Sequence, residues 1–399
     1  MDRHQVALVP VADYEQGRVD EAVRAGLALL GGLGAFVRPE ERILLKPNLL
    51  GKAAAEKAVT THPAVFTAVV RALREAGCDQ ISYGDSPATV SPASASGACG
   101  IAGAAEQLGV PLADFTTGST VSFPEGKVSH SFHLCRAVQE ADALISISKM
   151  KTHALERITG AVKNQYGCVL GLNKGAGHVS YPNSDVFADM LIDLNRCVKP
   201  RLYIMDGIVA MEGNGPSSGV PRPMRVLLFS ADPVALDAVF AALVHLSPAT
   251  IPTCVCGEKQ GLGIMDLGRI GVVTHEGALT VSEAVERYGC PDFDVFRGTL
   301  GKNALGRLAM LLPFLQARPQ VLPERCVGCG VCERVCPVPG KAVHSGGGHK
   351  AVYDYRKCIH CFCCQELCPE KAIVVHRSPV MRLLERRATG PAQSSSRPR

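Results

Sequence analysis

Two cysteine runs near the C-terminal end leave the chain little conformational freedom there. They read Cys326-x2-Cys329-x2-Cys332-x3-Cys336-Pro337 and Cys358-x2-Cys361-x2-Cys364-x3-Cys368-Pro369. Three thiols spaced this closely wrap one corner of a cube, and the proline after the fourth cysteine turns the chain away. This is the spacing of the bacterial two-cluster run, in which the fourth cysteine of each run ligates the other 4Fe–4S cluster. The expected cages are Cys326, Cys329 and Cys332 with Cys368, and Cys358, Cys361 and Cys364 with Cys336. A pair of four-cysteine zinc sites is the alternative. Zinc knuckles, however, pair two Cys-x2-Cys units and require neither the third cysteine nor the repeated Cys-Pro. Two 4Fe–4S clusters are therefore the implied cofactors, and electron handling the implied task.

The same segment is an internal repeat, one half ending CPVPGKAV and the other CPEKAI. Two similar halves related by a pseudo-twofold are expected, as a small α+β ferredoxin-like domain over 320–376. Cys363 lies inside the second run without a counterpart and reads as a spare thiol. Of the 17 cysteines, the others (Cys78, Cys99, Cys135, Cys168, Cys197, Cys254, Cys256, Cys290) are scattered among apolar residues. They read as buried free thiols of a reducing compartment, and Cys254-x-Cys256 is too tight for a thioredoxin-type pair. The start, MDRHQVALVP, enters a strand without a positive-then-apolar leader pattern. No apolar run approaches the ~20 residues that span a bilayer. A cytoplasmic, oxygen-poor setting is expected, with no membrane span.

The net charge of +5 is misleading until it is divided. From Arg377 onward six arginines face one glutamate, so the tail 377–399 supplies the excess and reads as a disordered terminus. The main body is near neutral, and nothing argues for nucleic acid.

Upstream, short apolar strands alternate with helical patterns, which implies βαβ units and a parallel-type sheet with helices on both faces. Strands are expected at Val6–Pro10, Arg42–Leu45, Gln80–Tyr83, Ala143–Ile147, Leu202–Met205, Val226–Phe229 and Gly271–Thr274. Helices are expected at Val19–Leu30, His62–Ala76, Ile158–Val169, Asp185–Cys197 and Asp232–Val244, the last capped by Asp232 with Pro233 at its first position. The α/β domain thus occupies 1–300, and 301–319 reads as a linker helix.

Ligands of open α/β sheets bind beyond the carboxyl ends of the strands. Five candidate strands here end in polar residues: Lys46-Pro-Asn48; Gly84-Asp85-Ser86; Lys149, Lys151 and His153; Asp206 with the loop Glu212-Gly-Asn214-Gly-Pro216; and Ser230-Ala-Asp232. Taken singly, each has a bland explanation as solvated surface, helix cap or turn; five together favour a site. Lys163 and Asn164 stand on one helical face with Gly160 and Gly167, and Gly171–Gly177 reads as a loop carrying Lys174, followed by His178. No Walker A order and no Gly-x-Gly-x-x-Gly after the first strand are present, so nucleotide and dinucleotide sites are unsupported. Lys46, Lys149, Lys151, Lys163 and Lys174, with His153 and His178, would suit a carboxylate or phosphate.

These motifs, KPN at 46–48, GDSP at 84–87, KMKTH at 149–153, GAVKNQYG at 160–167, EGNGP at 212–216 and SADPVALD at 230–237, resemble the domain-of-unknown-function 362 family, which often carries a ferredoxin module. The resemblance implies an iron–sulfur protein of unassigned activity. A looser likeness to the N-terminal domain of nickel-dependent lactate racemase is a hint of fold alone.

Three functions remain open. The first is an oxidoreductase coupled to a ferredoxin or another redox protein. In it Lys46, Asn48, Ser86, Lys149, Lys151, Asn164, Lys174, His178 and Asn214 would bind a small anion. His153 would donate a proton, Lys163 would help to bind the anion, and Asp85 would orient His153 or hold a metal. The second is a non-enzymatic electron carrier or redox activator. The third is metal-assisted chemistry at Asp85, His153, His178, Asp206 and Glu212.

Overall fold

The apolar run Val6–Pro10 forms strand β1, and the same pattern of short buried strands builds one large sheet. The computed structural model describes residues 3–171, 180–181, 183–298 and 316–377. Two units divide the chain, Met1–Asp294 and Val295–Arg399.

In the first unit β2 (Ile43–Pro47), β3 (Ile81–Tyr83), β6 (Ala143–His153) and β8 (Leu202–Glu212) lie side by side in the order β8-β6-β2-β3, all parallel. Between β3 and β6 a separate hairpin forms from β4 (Gly118–Ser122) and β5 (Ser131–Cys135). β9 (Val220–Ser230) runs antiparallel to both β8 and β1, while β10 (Val272–Thr274) returns parallel to β1. β11 (Gly277–Leu279) closes the edge antiparallel to β10. The sheet is therefore mostly parallel, and the reversal at β9 has a local cause. Only the link 213–219 joins β8 to β9, whereas parallel neighbours need a crossover of about a dozen residues or more.

Helices cover both faces. The amphipathic helices Gln16–Leu29 and Pro63–Glu75 share one apolar core with Ile43, Leu45, Ile145, Ile204 and Phe229. On the opposite face Tyr203 donates from its hydroxyl to Asn195 of helix Ser184–Val198 at 3.3 Å. Helix Pro233–Leu243 starts as its sequence predicts: the N–H groups of Val234 and Ala235 donate to Asp232 at 2.8 and 3.0 Å.

The expected helix Ile158–Val169 is replaced by three pieces. Arg157–Thr159 is a strand, β7, antiparallel to the overhang of β6; one helical turn follows at Ala161–Asn164, then a tighter turn at Gln165–Cys168. The overhang offers a free edge that β7 takes up. The carboxylate of Asp237 then restarts the helix by accepting from Ala161 and Val162 at 2.6 and 3.1 Å.

In the second unit β12 (Arg318–Val321) pairs with β15 (Ile373–His376), and β13 (Val343–Gly346) with β14 (His349–Tyr353). Short helices at Val331–Val335 and Cys363–Glu366 complete a ferredoxin-like α+β module. The repeat extends to the backbone. Gly330 and Phe362 enter the two helices at φ of 74° and 61°, and Gly328 and His360, two residues earlier, match at 68° and 54°. Since Arg318 already lies in β12, the module begins before 320. The expected linker helix over 301–319 otherwise falls outside the described residues, as does the tail beyond Arg377. Among the described residues no helix is long and apolar enough to cross a membrane.

Candidate functional site

Two walled hollows in the second unit collect the cysteine runs. Cys326, Cys329, Cys332 and Cys368 line one of about 310 Å³. Cys336, Cys358, Cys361 and Cys364 line the other, of about 300 Å³. Each hollow takes three cysteines from one run and the fourth from the other, as the spacing requires, and Cys363 lines neither. The N–H groups of Ala351, Ala342 and Ala372 donate to the sulfurs of Cys326, Cys336 and Cys368 at 3.5, 3.4 and 3.3 Å. The Tyr353 hydroxyl donates to Cys364 at 3.1 Å. Donors of this kind stabilise sulfur-borne negative charge and tune cluster potential. Among the described residues no three His, Cys, Asp or Glu side chains converge on one point, as a single metal ion needs. Four thiols spread around an apolar cage fit a 4Fe–4S cluster instead.

At the carboxyl ends of β2, β3 and β6 the polar motifs do gather, but largely upon one another. Lys46, fully enclosed, points its Nζ at Asp85 at 2.9 Å and at the amide oxygen of Asn164 at 3.2 Å. Asp85 also accepts the N–H groups of Leu49 and Ser86 at 2.7 and 2.9 Å. Asn164 donates to Ser146 at 2.9 Å and accepts from Asn48 at 3.2 Å, and Lys151 donates to Asn48 and to the carbonyl of Val59 at 2.8 and 2.7 Å. Gly167 is the keystone: a Cβ there would sit 1.7 Å from Asp85 and 2.6 Å from the Lys46 nitrogen.

Lys149, also on β6 but facing Asp206 of β8, is equally enclosed. Its Nζ donates to Asp206 and to the Tyr14 hydroxyl, both at 2.8 Å, and Tyr14 donates to Asp206 at 2.8 Å. The ring of His62 stacks on Tyr14 with centroids 3.6 Å apart, and the backbone N–H of His62 donates to Asp206 at 3.0 Å. Burial holds the Lys149 ammonium below its ordinary range and pushes His62 down to about 4, so the imidazole is neutral. Burial and the Asp206 charge push Tyr14 well above its usual value.

The predicted cationic pocket is thus corrected in part: the Lys46 and Lys149 charges are already answered by Asp85 and Asp206. Asp85 engages Lys46 and backbone donors, not His153. Among the described residues the metal set does not gather either, because Glu212 accepts the N–H of Asp294 at 2.9 Å while Asp206 serves Lys149. Ser86 is buried beside Asp85, its N–H also reaching the Gly167 carbonyl at 3.1 Å. Asn214 lies in the β8–β9 link, half-buried. Lys174 and His178 fall outside the described residues.

A different cluster forms where β6 turns into β7. The Nδ1 of His153 accepts the N–H groups of Leu155 and Glu156, both at 3.1 Å, which leaves the ring proton on Nε2. Glu156 is fully enclosed, and neither carboxylate oxygen has a hydrogen-bond partner among the described residues. Burial pushes it up to about 8; the Lys163 cation works against that rise and Asp185 with it. Asp237 is pushed up to about 7 by burial, against its two N–H donors. Glu156 lies in a turn where no motif marks it. Tyr14 was legible, because it follows β1 and the strand-end rule applies there too.

The DUF362 family model, described as a domain of unknown function, matches residues 43–242, half of the chain. The chain belongs to the DUF362 family. The matched DUF362 segment runs from β2 into helix Pro233–Leu243 and so contains every strand end described above except that of β1. The model of a 4Fe-4S dicluster domain matches residues 318–369. A relative, the thylakoid-associated protein sll1697 of Synechocystis sp. (strain ATCC 27184 / PCC 6803 / Kazusa), is 36% identical over 258 residues, covering 64% of this chain and 79% of its own. The lactate racemase apoprotein from Thermoanaerobacterium thermosaccharolyticum aligns with 59% of this chain and 57% of its own length, at 10% identity and a TM-score of 0.38. A Thermotoga maritima protein aligns with 52% of this chain and 53% of its own, at 13% identity and a TM-score of 0.30. This DUF362 chain spans little more than half the length of either solved structure.

Proposed function

We propose that the chain is an iron–sulfur oxidoreductase that moves electrons between a ferredoxin or similar redox protein and a small anionic molecule held in the DUF362 domain. The observation that carries this reading is Glu156, an enclosed acid with no hydrogen-bond partner among the described residues and Lys163 as its opposing charge. Leaving such a group unsatisfied costs about 1–3 kcal/mol, and perturbed acids of this kind concentrate at functional sites.

Lys163, half-buried, would pair with the negative charge of the substrate. Glu156 keeps its proton at neutral pH and would release it to the product as negative charge accumulates there. His153 would offer its Nε2–H as a second donor, held in that tautomer by its two backbone partners. Clusters held by the eight cysteines would supply single electrons at low potential. The nine cysteines outside the cages, none of them in a disulfide, favour a reducing, cytoplasmic and oxygen-poor setting.

A second reading, a non-enzymatic electron carrier or redox activator, draws support from the paired lysines. A site built to take an anion would leave Lys46 and Lys149 less completely answered. One experiment separates the two. The protein is reduced anaerobically with dithionite, freed of excess reductant and mixed with low-mass fractions of a cell extract. An anionic fraction should reoxidise the clusters, and Lys163→Ala should keep its iron but respond at least about tenfold more slowly, the scale of one lost charge-assisted contact. Equal rates in the variant would overturn the site, and discharge to protein fractions alone would favour the carrier.

A further inference from the structure

The two cysteine cages differ in their exposure. Of the eight cage cysteines only Cys329 is exposed, and it belongs to the cage of Cys326, Cys332 and Cys368. In the other cage Cys336 and Cys364 are buried, and Cys358 and Cys361 are half-buried.

Around Cys329 the surface is apolar and basic at once. Val327 and Val352 are 58% and 68% exposed, unusual for β-branched residues in a folded module. The loop that carries Val327 and Cys329 rests on the β13–β14 turn: a Cβ on Gly328 would meet the backbone of Gly348 and His349 at 2.5–2.8 Å. In β14 Ala351 is buried while Lys350 and Val352 on either side of it are exposed, so alternation turns those two outward together. Arg334 donates to the carbonyl of Cys329 at 3.2 Å, and exposed Arg325 adjoins Cys326. Lys371 adds a further positive charge. Against these stand Glu324 and Glu370. Glu333 is already engaged by His344 and by the N–H of Ser345 at 2.7 Å. The exposed charges of this segment are net positive, and two exposed valines lie among them.

We propose that this face, Val327 and Val352 ringed by Arg325, Arg334 and Lys350, is where an acidic electron-carrier protein docks, so that the cage of Cys326, Cys329, Cys332 and Cys368 is the one that exchanges electrons with it. The inference rests on the electron-transfer reading above and adds which cage meets the partner and through which residues. A small apolar centre with a charged rim suits a brief encounter, since redox pairs bury little area and rely on charge for a fast approach. One electron passes per encounter: the carrier loses it, the module gains it, and no bond or proton moves.

The test uses the cluster-loaded chain and, as probe, a reduced, strongly acidic 2Fe–2S ferredoxin. Stopped-flow absorbance gives the rate of electron arrival, and calorimetry the affinity. Lys350→Glu and Val352→Asp lie outside the cage lining, so both should retain the visible spectrum and the rate of reduction by dithionite. Reduction by the acidic ferredoxin should fall at least about tenfold at low salt in Lys350→Glu, and the wild-type rate should drop steeply with ionic strength. Equal rates and affinities in wild type and both variants would overturn the docking face. If the wild type accepts no electrons from the acidic ferredoxin at any salt yet is reduced by dithionite, the redox-partner reading itself falls.

Discussion

A buried lysine is tolerable only with its charge answered, and here the answer comes from residues far away in sequence. Lys46 reaches Asp85 and Lys149 reaches Asp206, and the first pair leaves no room for an extra methyl group on Gly167. Gly167→Ala would drive a carbon into the Lys46–Asp85 contact, where overpacking costs about 1–3 kcal/mol and separation of a buried pair about 3–5. A loss of at least about 3 kcal/mol in urea-induced unfolding is expected. Glu156 makes a prediction of the opposite electrostatic kind. Its folded value of about 8 lies above its ordinary 4.5, so the folded protein binds the additional proton between those limits. Stability is therefore whole below about pH 4.5, falls as pH rises through the window and levels off above about 8, a drop of a few kcal/mol. Asp237, raised to about 7, tilts the curve the same way. Glu156→Gln should flatten the slope without removing it, and above pH 8 it should be more stable than the wild type, as read from urea midpoints across pH 5–9. A slope identical to the wild type would mean that Glu156 is ionised in the folded state.

At the scale of elements, the cages are the product of two loops that each need the other. Every hollow borrows its fourth cysteine from across the repeat, so Cys368→Ser should empty the cage of Cys326, Cys329 and Cys332 and leave the other standing. Iron per anaerobically purified chain should fall from about eight to about four. Loss from the cage of Cys358, Cys361 and Cys364 instead would mean that each run serves itself. The β6–β7 turn shows a different interdependence. β6 overhangs β2, β7 occupies the edge left free, and this pairing places Glu156 and His153 in a single turn. Three elements replace the one helix that apolar spacing suggests, because a strand edge and the Asp237 carboxylate, both remote in sequence, outweigh local periodicity.

For the whole molecule, two units of unequal size imply unequal dependence on metal. The α/β unit buries a core on both faces of its sheet, whereas the module of roughly 60 residues is below the size at which a core alone suffices. Stripping the iron should abolish the module's thermal transition and leave that of the α/β unit in place, as followed by calorimetry before and after chelation. A single transition lost entirely on chelation would contradict this independence. Much of this plan was legible beforehand. Cysteine spacing determines cage membership covalently, and short buried strands declare a sheet whatever their partners. The reversal of β9 was hidden because pairing direction depends on which strands become neighbours. The answered lysines were hidden for a similar reason: the KPN and KMKTH motifs reveal positive charges, but nothing adjacent in sequence reveals that Asp85 and Asp206 fold onto them. Glu156 was least visible, since its character comes wholly from the enclosure around it.

The crossed cages also impose an order on synthesis. A chain leaving the ribosome N-terminus first presents Cys326, Cys329 and Cys332 long before Cys368, so the earlier cage waits, three-sided, for the last cysteine to emerge. Cys336 waits likewise for Cys358, Cys361 and Cys364. The later cage is complete once Cys364 has appeared, the earlier one only with Cys368, so the cage begun first is the one finished last. Iron delivered before that moment meets an open corner, and a chain truncated just short of Cys368 would carry three idle thiols beside one finished cage.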